Sequence, residues 1–342
     1  MKVLIVGGAG YIGSHAVRAV SAAGLAPVVL DNLSEGFRAA VPVEVPFVEE
    51  SLAESGRVRE AIRAHEIEAV MHFAAYISVE ESVREPEKYW KNNLGGIEAL
   101  LGAMRQEHVM NIVFSSTAAV YGTQDKMPLG EESPPAPNNP YGETKLACEK
   151  ALARAAAEWG LNWAALRYFN ACGAHPSGEI GEAHRDETHL VPNCLGVALG
   201  KTDSFKIFGD DYPTPDGTCV RDFLNVVDLV EAHVAALGPL SEGALNQPIN
   251  LGTGKGNSVL EILEACREVT GHAIPCEVAP RRAGDAVELV AAVEAAARLL
   301  GWQSRIKDVR KSIESAWRWH TSHPEGYARP DTTRKLPGGD LG

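Results

Sequence analysis

Short apolar runs and amphipathic stretches alternate through the first half of the chain. Apolar runs at residues 3–6, 28–30, 70–73, 112–114 and 163–166 are bounded by turn residues and predict strands. Residues 12–23, 58–65, 89–107 and 141–159 carry helical spacing between and after them. Strands that alternate with helices predict βαβ units and a parallel sheet with helices on both faces. A loop rich in proline and polar residues, 128–140, leads into the helix that starts near Tyr141. Beyond Ala171 the chain turns to Gly, Pro, Asp and His, which predicts short elements and longer loops. Residues 225–237 and 248–251 again read as helix and strand, so the chain is expected to return to the sheet there.

Composition narrows the class without fixing the chemistry. The 342 residues are 45% apolar and 23% charged, ordinary for a globular protein able to bury a full core. A formal charge of −13 and a pI near 5.4 argue against a nucleic-acid surface, because phosphate backbones repel an acidic face. A local basic pocket for a small anion remains compatible with that balance. The N-terminal apolar run is far too short for a signal peptide or a membrane span, and the reading is a cytoplasmic protein. Cys148, Cys172, Cys194, Cys219, Cys266 and Cys276 are scattered. With no Cys-x-x-Cys pair and no Cys/His cluster at zinc spacing, they read as reduced thiols, and no metal is expected.

The chain opens Val3-Leu-Ile-Val-Gly7-Gly-Ala-Gly10-Tyr-Ile-Gly13, a strand, a glycine-rich turn and a helix start. Gly7 suits the tight turn, Gly10 lets backbone approach a pyrophosphate, and Gly13 lets the helix pack close on the strand. Phosphates would then meet free N–H groups at a helix N-terminus. Asp31 follows the second strand about twenty residues on, where a carboxylate accepts from an adenosine ribose. A tight turn and a strand cap would explain either feature alone, but together they point to a bound dinucleotide. The carboxylate favours NAD over NADP, whose extra phosphate it would repel; Arg38 is the nearby cation that could reverse that preference. The expected fold is therefore a Rossmann-type doubly wound parallel sheet with a smaller, interleaved α/β substrate-binding region. Residues 1–171, with 225–253 returning, form the NAD-binding domain in this reading. Residues 172–224 and 254–330 form the substrate region, and 331–342 a frayed tail.

A strand ending in Phe114-Ser-Ser-Thr117 precedes Tyr141-Gly-Glu-Thr-Lys145. Four residues apart, Tyr141 and Lys145 share a helix face. A neutral phenol is a poor base, and a nearby ammonium with a positive nicotinamide ring would favour its phenolate. Thr117 can aim a hydroxyl at the same sugar oxygen. A packed ring beside a solvated lysine is the bland alternative, and the glycine turn weighs against it.

The glycine turn, the Ser-Ser-Thr strand end and Tyr-x-x-x-Lys together resemble the extended short-chain dehydrogenase/reductase family. Further blocks resemble its UDP-galactose 4-epimerase branch: His72-Phe-Ala-Ala, Phe114-Ser-Ser-Thr-Ala-Ala-Val-Tyr-Gly122, Arg167-Tyr-Phe-Asn170, Gly173-Ala-His-Pro-Ser-Gly178, Ile207-Phe-Gly-Asp-Asp-Tyr-Pro-Thr214, Asp216-Gly-Thr-Cys-Val-Arg-Asp222, Asn250-Leu-Gly-Thr-Gly254 and Ala279-Pro-Arg-Arg-Ala-Gly-Asp285. The likeness runs from Met1 to about Tyr327. It implies that Tyr141 is the base, that Lys145 holds the nicotinamide ribose and tunes Tyr141, and that Thr117 supports the sugar hydroxyl. It implies that Tyr11, Ile12, Asn32, Ser51, Leu52, Phe73, Ala74, Ala75, Asn92, Ser115 and Tyr168 line the cofactor beside Gly7, Gly10, Gly13 and Asp31. Asn170, His189, Leu190, Phe208, Arg221, Arg282, Asp285 and Leu289 match positions that hold the UDP-sugar. Some positions depart from the pattern. Ser51 replaces a carboxylate that meets the adenine amine, Ile77 a lysine, Glu80 a glycine, and His189 an asparagine found in some members.

The reaction the resemblance implies is 4-epimerisation of UDP-hexoses with a retained NAD, in a homodimer built through helices matching 89–107 and 141–159. A related N-acetylhexosamine or pentose epimerase is the nearest alternative, and a non-catalytic NAD-binding regulator a more distant one. A 4,6-dehydratase would need an acid pair after Thr117, where Ala118 and Ala119 stand.

Overall fold

The computed structural model of the protein describes residues 1–282 and 285–327. The tail expected at 331–342, the last residues of the expected substrate region, and Ala283 and Gly284 lie outside the described residues. In chain order the first six strands are β1 (Lys2–Val6), β2 (Ala26–Asp31), β3 (Phe47–Glu49), β4 (Ala69–His72), β5 (Asn111–Thr117) and β6 (Asn162–Tyr168). There follow β7 (Asn170–Cys172), β8 (Phe205–Phe208), β9 (Val220–Asn225) and β10 (Gln247–Leu251), then β11 (Gly256–Ser258), β12 (Cys276–Ala279) and β13 (Glu288–Leu289).

Seven strands form one parallel sheet in the order β10-β6-β5-β4-β1-β2-β3. Continuous apolar runs suit such strands because both faces are buried under helices. Alternate residues of β1 divide accordingly. Val3 and Ile5 face the layer of helices Tyr11–Ala22 and Val226–Ser241, while Leu4 and Val6 face Ser55–Ala64, Gly95–Gln106 and Pro140–Trp159. The chain leaves β1 toward β2 and β3, then crosses back to β4, β5 and β6. That reversal opens a crevice at the carboxyl ends of β1 and β4, the usual place for a ligand in an open α/β sheet.

The helix expected at 225–237 runs Val226–Ser241, and the strand expected at 248–251 is β10, paired with β6 at the sheet edge. The helix expected at 89–107 is interrupted: Pro86–Tyr89 is followed by a π-helical turn, Trp90–Leu94, and then Gly95–Gln106. Beyond Ala171 the expectation of short elements holds for the strands but fails for the helices. Val259–Thr270 and Val309–Ser322 are 12 and 14 residues long. The first was legible in its capping box, Ser258 and Glu261 exchanging side-chain and backbone bonds. These elements surround β9, which pairs with β7, β11 and β13, while β8 pairs with β12. All six cysteines are free, and five are buried. Among the described residues no helix is long and apolar enough to cross a membrane.

Candidate active site

Gly7 follows β1 with φ +78°, and a Cβ there would lie 2.6 Å from the backbone nitrogen of Ala74, just beyond β4. Only glycine brings the two loops of the crevice this close. A Cβ on Gly13 would fall 2.0 Å from the Gly7 carbonyl oxygen, which seats the helix on the turn. Gly10 differs: its added Cβ would meet only the Gly7 oxygen, at 3.4 Å. The protein leaves the space before it open. Helix Tyr11–Ala22 starts there with no side-chain cap, so its first N–H groups stay available to an anion.

Asp31, at the end of β2, is buried and accepts from Ala9 N at 2.9 Å and Leu33 N at 2.8 Å. Burial raises its carboxyl above the usual range, and the two backbone bonds oppose that rise. Arg38 is engaged elsewhere, donating to Val41 O and stacking 4.6 Å from the Phe47 ring. Around the crevice, Phe73, Ala74 and Ala75 follow β4, and Ser115 and Tyr168 join hydroxyls at the ends of β5 and β6. Asn32 is exposed after Asp31, its side chain accepting from Ser34 N. Ser51 and Leu52 follow β3; Leu52 packs on the helix layer, and Ser51 Oγ accepts from Ala53 N. Ile12 packs on the opposite layer. Asn92 sits in the π turn with its amide on Asn93. Tyr11 reaches across instead, its hydroxyl donating to Gly173 O at 2.7 Å in the second region.

Helix Pro140–Trp159 is capped by Asn139, whose side chain accepts from Gly142 N at 2.9 Å. A Cβ on Gly142 would lie 2.6 Å from Ala119 O, so the helix start rests directly on the turn after β5. The Tyr141 and Thr117 side chains face each other there, and the Thr117 hydroxyl favours the phenolate. Lys145 is 3% exposed; its Nζ donates to Ser115 O at 2.8 Å and lies 4.9 Å from the Phe114 ring centre. Burial pulls Lys145 down to about 8. Burial also pushes the Tyr141 phenol well above its usual value, and the nearby Thr117 hydroxyl offsets only part of this. The expected lowering of the phenol by Lys145 is therefore not a property of this chain by itself. The lysine points at backbone, and its ammonium is itself desolvated.

Two supporting sets escaped the sequence reading. Glu149, two turns beyond Tyr141, pairs with Arg167 of β6 and accepts from Ser116 of β5; both charged side chains are buried. Arg167 also donates to the Tyr121 hydroxyl at 3.0 Å, which donates to Asn250 of β10 at 2.7 Å. This network pins the helix to three strand ends. Asn93 accepts from Tyr76 N, and its amide reaches Tyr76 O and Thr144 Oγ1. It ties the π turn to the same helix. A charged Glu and Arg inside otherwise apolar periodicity were the available signals.

The second-half residues gather in two groups. Asn170 (β7), Arg221 (β9) and Leu289 (β13) share the small sheet, with Leu289 in register opposite Arg221. Arg221 lies 3.7 Å from Asp285, and Leu289 packs beside Ala118, Tyr121 and Leu129, joining this sheet to the turn after Thr117. Arg282 stacks 3.9 Å above the ring of Phe208 at the end of β8. His189 precedes helix Leu190–Ala198 and joins Glu182, His184 and Glu187 in a cluster apart from these groups. Burial disfavours the charged His189 ring, but Glu182 and Glu187 outweigh it and lift the ring to about 9.

Residues 3–252 match the NAD dependent epimerase/dehydratase family. The chain belongs to that family. A UDP-glucose 4-epimerase of Lacticaseibacillus casei is 48% identical over 327 residues, covering 96% of this chain and 99% of its own. A crystal structure of a UDP-glucose 4-epimerase, also 48% identical, superposes with a TM-score of 0.93 over 96% of this chain and all of its own. The Bifidobacterium longum UDP-glucose 4-epimerase, solved with NAD+ and UDP, is 35% identical with a TM-score of 0.90, again over 96% of this chain and all of its own. As in other members of the NAD dependent epimerase/dehydratase family, the cofactor is NAD. The glycine turn, the uncapped helix and Asp31 suit a dinucleotide without a 2′-phosphate.

Proposed function

We propose that the chain interconverts UDP-galactose and UDP-glucose by inverting C4 of the hexose through a transient 4-keto sugar. One observation carries this reading: Tyr141 faces Thr117 from the first turn of a helix whose next turn buries Lys145 at the crevice wall. NAD, when bound, accepts and returns the C4 hydride and places a positive ring near the phenol. Tyr141 takes the proton of the 4-hydroxyl and gives it back. Thr117, facing the same phenol, supports the sugar hydroxyl there. Lys145 holds the nicotinamide ribose and adds positive charge where phenolate must form. Gly7, Gly10, Gly13 and the uncapped helix receive the pyrophosphate of NAD, with Asp31 on the adenosine ribose.

The remaining assignments follow the two second-half groups. Arg221 and Arg282 take the UDP pyrophosphate, Phe208 and Leu190 flank the uridine end, and His189 donates to a phosphate. Asn170, Asp285 and Leu289 surround the sugar. A firm grip on UDP and a loose one on the hexose lets the keto sugar turn between the two hydride transfers. Dehydratases share the family description, but Ala118 and Ala119 supply no acid pair for elimination. Residues 1–171 and 225–253 serve NAD, and 172–224 and 254–330 serve the UDP-sugar. The enzyme works in the cytoplasm as a homodimer. Helices Gly95–Gln106 and Pro140–Trp159 support the dimer, since Gly95, Ala153 and Ala157 leave small exposed surfaces there.

Purified protein given UDP-galactose without added NAD tests the reading. UDP-glucose should form on the co-purified cofactor. Turnover that required continuous NAD and accumulated NADH with product would replace it with a dehydrogenase.

A further inference from the structure

Between β7 and helix Leu190–Ala198, four side chains that no part of the epimerase chemistry uses as a set converge on one point. They are Glu182, His184, Glu187 and His189, each offering one donor atom, and these atoms lie within 4.8 Å of one another. We propose that they form a binding site for one divalent transition-metal cation of the zinc class. The site has four protein ligands; His189 ligates through Nδ1, the nitrogen that faces both carboxylates, which leaves Nε2 for the phosphate contact proposed above.

The geometry carries the assignment. Nδ1 of His184 lies 3.1 Å from Glu187 Oε2 and 3.6 Å from Glu182 Oε1. Nδ1 of His189 lies 2.9 Å from Glu187 Oε1 and 3.2 Å from Glu182 Oε1. Zinc binds nitrogen and oxygen at about 2.0–2.2 Å, and the edge of such a tetrahedron is about 3.3–3.6 Å. The four separations, 2.9–3.6 Å, run from just short of that edge to its upper end.

Chemistry points the same way. Glu182 is 3% exposed, and its charged partners among the described residues are the two imidazoles, not a lysine or arginine. Buried carboxylates are paired or ligate metals. Each Nδ1 faces two carboxylates, yet one ring nitrogen carries at most one hydrogen to donate. One metal ion satisfies all four groups at once. Two nitrogens and two oxygens suit zinc and its neighbours, whereas calcium and magnesium take six or more oxygens.

The position gives the ion a structural task. His189 N donates to Glu187 Oε1, so the cluster fixes the residue that starts helix Leu190–Ala198. On its other side, the Tyr11 ring meets His184 edge-on at 6.3 Å, and Tyr11 opens the helix after the glycine turn. The ion thus joins two helix starts on either side of the crevice. Cys-based spacing rules do not see it, because Glu-x-His-x-x-Glu-x-His contains no cysteine.

The test uses the full chain stripped with a chelator and then equilibrated with zinc alone, read by metal analysis, calorimetry and X-ray absorption. One zinc per chain is expected, with two nitrogen and two oxygen neighbours at about 2.0–2.2 Å and a higher melting temperature. His184→Ala and Glu187→Gln should each weaken binding by about 10-fold or more and remove the zinc-dependent rise in melting temperature. Substoichiometric zinc in the wild type, a sulfur-rich shell, or equal affinity in folded variants would overturn the site. If a variant fails to fold, the coordination shell of the wild type decides alone. None of these readouts depends on epimerase activity.

Discussion

Lys145 donates its ammonium to the carbonyl of Ser115 at 2.8 Å and not to Tyr141. The lysine is therefore held at the crevice wall before any cofactor arrives, and burial has drawn it down to about 8. An unfolded lysine titrates near 10.5, so at neutral pH the folded chain carries a charge it would be more stable without. That penalty is fully present below about pH 8, shrinks as pH rises toward 10.5, and is absent above it. Its upper bound is about 3 kcal/mol. Lys145→Met should therefore raise the melting temperature of the cofactor-free protein at pH 7, with the advantage fading between pH 8 and 10.5, while epimerisation is lost. A variant less stable than wild type at pH 7 would show that the ammonium's bond outweighs its burial.

Tyr141→Phe removes the phenol and keeps the ring. The turnover rate should fall by about 10²–10⁴ with little change in UDP affinity. Thr117→Val removes the hydroxyl that faces Tyr141 and the acceptor for Ala119 N, so it should be slower than wild type but less damaged than Tyr141→Phe. Near-normal turnover in Tyr141→Phe would assign the proton to another group.

Gly142→Ala tests how the base is positioned. Its Cβ would press on Ala119 O, a backbone atom of a turn that cannot swing aside. The strain should cost about 1–3 kcal/mol and reduce kcat, because relief requires moving either Thr117 or Tyr141. A stable variant with full kcat would show that this contact does not set their separation.

The sheet was legible because its strands are buried on both faces. Residues 112–114 stood out as an apolar run, and the strand extends to Thr117 only through small polar residues that bury with it. Tyr141 and Lys145 were legible from helical spacing, and Gly7, Gly10 and Gly13 from a turn that needs them. What spacing could not show was direction. It placed Lys145 on the face of Tyr141, but the Ser115 carbonyl that accepts its hydrogen bond lies on a strand thirty residues earlier. Asn93 and Glu149 were hidden for the same reason, since their partners come from other elements. The Glu182–His189 cluster was missed because its four ligands sit on an irregular loop with no period to read.

Leu289 should set how large a sugar the pocket admits. It is partly buried opposite Arg221 and packs on the segment after Thr117, between the proposed anchor and the proposed chemistry. UDP-glucose and UDP-galactose should be the best substrates, with weaker activity on the N-acetylated pair. Leu289→Tyr should suppress the N-acetyl activity selectively, and Leu289→Ala should raise it at some cost in packing. Equal losses in kcat/KM for both classes in Leu289→Tyr would remove the residue from the sugar pocket.

The central claim is that the hydrogen at C4 leaves and returns within one closed site. UDP-galactose labelled with deuterium at C4, incubated with the enzyme in ordinary water without added NAD, tests it most directly. The account predicts UDP-glucose with the deuterium still at C4 and none released to solvent. Loss of the label to water, with ordinary hydrogen at C4 of the product, would mean inversion by proton exchange and would contradict the account.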